Sequence, residues 1–109
     1  MNINTQEFGQ QAGRVAALMK SLSNAHRLMI LCRLHEGECS VGTLEKTLGI
    51  NQSSLSQHLA RLRKDAIVAT RRESQTIYYR LLDDHAGRVV KQLYSLYCPS
   101  KPPTKRKRS

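Results

Sequence analysis

Tryptophan is absent from the 109 residues, phenylalanine occurs once, and aromatic residues make up only 5%. With so few large rings, the 39% apolar content supports a modest core built from aliphatic helix faces. A chain this small commonly gains stability by oligomerising. No run approaches the roughly 20 apolar residues that a membrane span needs. The opening segment MNINTQEFGQQ has neither the basic n-region nor the apolar h-region of a secretory signal. A cytoplasmic location without a membrane partner is expected. Cysteine is scarce and odd in number. Cys32, Cys39 and Cys98 are widely spaced, which excludes a structural disulfide framework and predicts free thiols in a reducing compartment. There is no Cys-x-x-Cys pair and little room for a substrate cleft, so no enzyme and no cofactor are expected.

Acidic side chains are the other shortage. Eight acidic residues face 18 basic ones, for a net charge of +10. Five of the basic residues (Lys101, Lys105, Arg106, Lys107, Arg108) fall in the final nine positions, leaving 13 basic against 8 acidic before them, an excess of +5. Such a balance points to nucleic acid as partner, with an anionic membrane surface second. The segment SKPPTKRKRS has nothing to bury. The expected organisation is one folded unit over 1–98 and a disordered basic tail over 99–109.

The hydrophobic pattern predicts a helix over residues 5–21, with Phe8, Ala12, Val15, Met19 and Leu22 on one stripe and Gly13, Ala16 and Ala17 leaving room for a close neighbour. Ser23 or Asn24 can cap a second helix running to about His35, with Leu28, Leu31, Cys32 and His35 along one face and Gly37 ending it. Ser40 caps a third helix that turns Val41, Leu44 and Leu48 inward. Gly49-Ile50-Asn51 then supplies a sharp turn, a core residue and the cap of a fourth helix. On that helix Leu55, Leu59 and Leu62 form the apolar stripe, while Ser53, Gln57, Ala60 and Lys64 fall opposite. The period then changes to two: 67–72 and 76–81 are β-rich runs around a short loop at Glu73-Ser74-Gln75. Asp83 or Asp84 caps a last helix with Val89, Val90, Leu93, Leu96 and Tyr97 apolar, and Pro99 stops it.

A helix, a turn of about three residues, a second helix and a hairpin make a winged helix-turn-helix, a mainly α fold with a small β-hairpin (α+β). Duplex recognition needs donors near the N-terminal end of a helix narrow enough for the major groove. Gln52, Ser53, Ser56 and Gln57 meet that requirement; Arg61, Arg63 and Lys64 are placed for phosphates. On the wing Arg71, Arg72 and Gln75 are candidates for phosphate or minor groove. A polar helix face is by itself usually just solvated. The turn, the polar face, the basic hairpin and the positive charge occur together here, which favours double-stranded DNA.

The segments SLSNAHRLMILCRL, LGINQSSLSQHLARLRKDAIV and TRRESQTIYYRL resemble the ArsR/SmtB family of bacterial winged-helix repressors, over about residues 12–98. The resemblance implies a homodimer formed through the first and last helices and bound to an inverted-repeat operator. It also places Gln52, Ser53, Ser56 and Gln57 on the usual DNA-contact positions. The family's metal sites are not matched. Its thiolate pair falls here on Ser40 and Gly42. Its last-helix zinc pattern keeps Asp83 and His85 but meets Leu96 and Pro99 in its second half, and half a site cannot close a tetrahedral zinc. No metal ligands are therefore assigned.

Cys32 in its ILCRL context and Cys98 after Tyr97 are similar to the dithiol of the sulfide- and persulfide-responsive members (the BigR, SqrR and HlyU-like group). That similarity implies a redox switch at Cys32 and Cys98, with a small oxidant or persulfide as inducer and weaker DNA binding on oxidation. Arg33 beside Cys32, and Arg88 and Lys91 on the helix of Cys98, are candidates to favour a thiolate. Cys39 is expected to be an exposed loop thiol without a role. Two alternatives remain: a metal-responsive repressor using Cys32, Cys98 and a histidine such as His35, and an anti-silencing activator of the same fold.

Overall fold

The computed structural model describes residues 1–99; the basic tail expected over 99–109 lies, from residue 100 on, outside the described residues. Five helices and three short strands follow in the order α1 (Thr5–Leu22), α2 (Ala25–His35), β1 (Cys39–Ser40), α3 (Val41–Leu48), α4 (Gln52–Lys64), β2 (Val68–Glu73), β3 (Thr76–Leu81) and α5 (Asp84–Tyr97).

The helix starts follow from local chemistry. Asn4, Asn24, Ser40, Asn51 and Asp83 each accept a backbone N–H of the first turn of the helix that follows. Gly49 closes α3 in the left-handed conformation (φ 66°, ψ 26°), and Ile50 drops into the core behind it. α4 ends in a Schellman motif: Ile67 N–H donates to Leu62 O at 2.9 Å and Ala66 N–H to Arg63 O at 3.0 Å, which puts Ala66 at φ 58°.

The core joins Ile30, Leu31 and Leu34 of α2, Leu44 of α3, and Leu55, Leu59 and Leu62 of α4. Ile67 and Val68, together with Ala86 and Val90 of α5, complete it. The buried stripe of α2 is thus rotated from the expected one, with Cys32 half-buried and His35 exposed. α1 contributes only Ser21 and Leu22 to the buried set; Phe8, Val15 and Met19 remain exposed.

The hairpin carries a third strand that the sequence pattern does not reveal. β1 pairs antiparallel with β3 (Cys39 with Tyr79, Ser40 with Tyr78), and β3 pairs with β2, giving the sheet order β1-β3-β2. Glu73 pairs with Thr76, so the loop is two residues, Ser74-Gln75, with Ser74 at φ 57°. Pairing with Tyr79 buries Cys39 to 3% exposure, which corrects the expected exposed loop thiol.

Candidate DNA interface and cysteine pair

Because Leu55, Leu59 and Leu62 commit one side of α4 to the core, the other side must face solvent. Gln52, Ser53, Ser56, Gln57, Ala60, Arg63 and Lys64 are all exposed there. Gln52, Ser53, Ser56 and Gln57 form no hydrogen bond with another side chain among the described residues, so their donors and acceptors are free. Between α4 and the sheet runs a groove of about 490 Å³ lined by Ser56, Ala60, Arg63, Lys64 and Tyr79.

The basic residues differ in availability. Arg61 sits on the far flank of α4, where its Nε donates to Asp65 Oδ2 at 2.8 Å; the same oxygen accepts the Ser21 hydroxyl of α1 at 2.5 Å. Arg71 is held on the outer face of the sheet by Glu38, its Nε 2.9 Å from each carboxylate oxygen, and stacks on Tyr78 at 4.4 Å from the ring centroid. Arg72, on the opposite face of β2, has no such partner among the described residues, and Gln75 is exposed at the wing tip. Of the two wing arginines that the sequence suggested, only Arg72 is thus uncommitted among the described residues. The Glu38–Arg71 pair was not visible in the sequence, because 33 residues separate its members.

A second polar node lies under α4. Arg27 of α2 donates its Nε to Ser21 O at 2.6 Å, and its Nη1 lies 3.3 Å from His58 Nδ1 on α4. His26 stands edge-on to His58, with the ring centroids 5.4 Å apart. Burial, then Arg27, then His26 hold the His58 imidazole below its usual pKa.

The thiols occupy three environments. Cys32 is half-buried on α2, Cys39 is buried in β1 and Cys98 is exposed at the C-cap of α5. Burial, then Cys98, then Glu36 push the Cys32 thiol up, and the helices that carry Cys32 and Cys98 pack against each other. The expected cationic assistance is not arranged as the sequence suggested. Arg33 acts on Cys39, where it only partly opposes the upward push of burial. Arg88 leans toward Asp84 at 3.7 Å, and ten residues of helix place its backbone about 15 Å from that of Cys98. Among the described residues, no three His, Cys, Asp or Glu side chains group so as to hold a metal ion. Asp83 serves as the cap of α5, and His85 is exposed beside it. No helix among them is long and apolar enough to cross a membrane.

Residues 24–70, which span α2 to the first residues of β2, match the family model described as bacterial regulatory protein, arsR family. The chain is also 43% identical over 96 residues to the transcriptional activator HlyU of Vibrio cholerae, covering 88% of this chain and 89% of that protein. It belongs to the ArsR family. The solved structure of reduced HlyU from Vibrio cholerae superposes with a TM-score of 0.79 at 43% identity, covering 85% of this chain and 98% of that one. The transcriptional repressor BigR from Xylella fastidiosa gives a TM-score of 0.85 at 44% identity, covering 90% and 100%. Mb0332 from Mycobacterium bovis, described as a homodimeric winged helix-turn-helix DNA-binding domain, gives 0.70 at 28% identity, covering 88% and 89%. This ArsR-family chain is a winged-helix DNA-binding transcriptional regulator of the HlyU- and BigR-like group, and not an enzyme.

Proposed function

We propose that this ArsR-family regulator works as a homodimer joined through α1 and α5, binds an inverted-repeat operator, and loses operator affinity when Cys32 and Cys98 are oxidised. The observation that carries the switch is that a half-buried Cys32 on α2 and an exposed Cys98 at the end of α5 stand on two helices packed against each other. Dimerisation is supported by the apolar residues that α1 and α5 leave uncovered in a single chain, Phe8, Val15 and Met19 on one and Tyr94, Leu96 and Tyr97 on the other. A two-fold dimer reads a two-fold operator, with half-sites one helical turn, about 34 Å, apart.

In this reading Gln52, Ser53, Ser56 and Gln57 enter the major groove. Arg72 and Gln75 reach along the backbone or into the minor groove, and Arg61 serves a phosphate from the flank with its terminal nitrogens. A persulfide donor transfers its outer sulfur to the Cys98 thiolate and leaves as a thiolate. The Cys32 thiolate then attacks the inner sulfur of that Cys98 persulfide and releases hydrosulfide, leaving a Cys32–Cys98 disulfide. Closing that bridge ties α2 to the end of α5 and thereby shifts the dimer interface that spaces the two reading helices. A coupling of roughly 1–3 kcal/mol gives a 5- to 150-fold loss of affinity.

Repression by operator occupancy is the direction adopted. Activation by displacing a silencer is the second reading, favoured by the 43% identity to a protein named as an activator. Fluorescence anisotropy on a promoter duplex from the protein's own locus tests the switch, comparing reduced and persulfide-treated wild type with Cys32→Ser and Cys98→Ser. Release of wild type alone supports the switch. Equal binding by reduced and treated wild type would make the thiols structural and return attention to metals.

A further inference from the structure

The contact between Arg27 and His58 joins the scaffold to the reading helix through a bond that only one protonation state of histidine can make. A guanidinium is always a donor, so the 3.3 Å approach of Arg27 Nη1 to His58 Nδ1 requires a lone pair on that nitrogen, and with it the neutral imidazole protonated at Nε2. Arg27 is not free to move away. Its Nε is spent on Ser21 O at 2.6 Å, and its own backbone N–H is taken by the Asn24 cap at 3.1 Å. His58 is therefore the side that yields, and it sits on the flank of α4 directly after Gln57.

We infer that Arg27 and His58 position the reading helix through this bond, and that protonation of His58 weakens DNA binding by setting two cations against each other across the α2–α4 contact. The surrounding groups do not rescue the charged form. From α2 the neighbours are Arg27 itself and His26, edge-on at 5.4 Å; from α1 only the uncharged Ser21 faces the node. On α4, Arg61 adds positive charge at Arg27, and the nearby acid, Asp65, is already engaged by Ser21 and Arg61. Burial, then Arg27, then His26 disfavour the imidazolium in the same direction. Acid ordinarily helps a basic protein hold DNA by adding positive charge, so a His58 effect has the opposite sign and is separable from the background.

This inference rests on the DNA-binding reading of α4. Operator affinity of reduced wild type and His58→Gln is measured by anisotropy from pH 7.5 to 5.5 at constant ionic strength. Glutamine keeps a neutral acceptor for Arg27 and cannot take up a proton. The expected result is comparable binding at pH 7.5, with wild type falling at least about threefold relative to His58→Gln by pH 5.5. Parallel profiles would overturn this inference alone, whereas failure of both proteins to bind at pH 7.5 would overturn the DNA reading with it. An NMR titration of wild type guards against a variant that does not fold. His58 is expected to titrate below the ordinary imidazole value of 6.5, with the α4 backbone amides shifting at the His58 midpoint. A His58 midpoint at or above 6.5, with α4 unresponsive, would refute the coupling.

Discussion

Glu38 holds Arg71 as a phosphate would, with Nε 2.9 Å from both carboxylate oxygens and Nη2 2.8 Å from Oε1. Because Tyr78 stacks on the other side of the guanidinium, Arg71 fastens β2 to the start of β1 and has no fork left for DNA. Arg72, its neighbour on β2, is left over. In operator titrations across salt concentration, Arg72→Ala is expected to reduce the slope of log K against log salt by about one unit, the loss of a single phosphate contact. Arg71→Ala should change the slope by clearly less. Equal slopes for the two variants would mean that DNA strips Arg71 from Glu38.

Asp65 makes a different kind of junction, since one carboxylate receives the Ser21 hydroxyl of α1 and the Arg61 guanidinium of α4. The Ser21 bond, then the Arg61 bond, hold its carboxyl below the ordinary value of 3.8. The unfolded chain therefore binds the proton more readily, and the stabilisation is present above that value and lost as pH falls through the lower folded one. Asp65→Ala is expected to cost about 1–2 kcal/mol near neutrality, discounted because Arg61 is partly exposed. Urea melts at pH 7 and in acid check this: the difference between the two proteins should shrink below pH 3.8.

These contacts show where a sequence stops being legible. The caps at Ser40, Asn51 and Asp83, the turn at Gly49 and the Leu55–Leu59–Leu62 stripe could be read in advance, because each is decided within one turn of helix. β1 could not, since two residues carry no periodicity and become a strand only by lying against Tyr78 and Tyr79. Cys39 followed β1 into the core for the same reason. The stripe on α1 was visible as amphipathic, but apart from Leu22 it lies exposed in the single chain, and an apolar stripe alone does not say what covers it. Of the polar face of α4, the sequence located the exposed residues but not which cations were already engaged. Arg71 and Glu38, like Arg27 and His58, meet across more than thirty residues.

Two left-handed positions carry opposite residues and should respond oppositely. Gly49 at φ 66° has nothing within 4 Å of an added Cβ, so Gly49→Ala meets no clash and pays only for the backbone conformation, about 1 kcal/mol. Ala66 at φ 58° already pays that cost at the end of α4. Ala66→Gly is therefore expected to raise stability by about 0.5–1 kcal/mol despite the greater freedom of glycine in the unfolded chain. Urea midpoints of the two variants should move to opposite sides of wild type.

The three thiols should react in an order set by access. Cys98 stands exposed at the end of α5, Cys32 is half-buried with its thiol pushed up by burial and by Cys98, and Cys39 is buried in β1 beside β3 with its thiol pushed up by burial. Only thiolates attack, so burial lowers reactivity twice, by excluding the reagent and by disfavouring the charged form. Limited iodoacetamide treatment at pH 7.5, read by peptide mass spectrometry, is expected to label Cys98 first, Cys32 later and Cys39 only on unfolding. If Cys39 is labelled as fast as Cys98, β1 opens readily and the buried-thiol assignment is wrong.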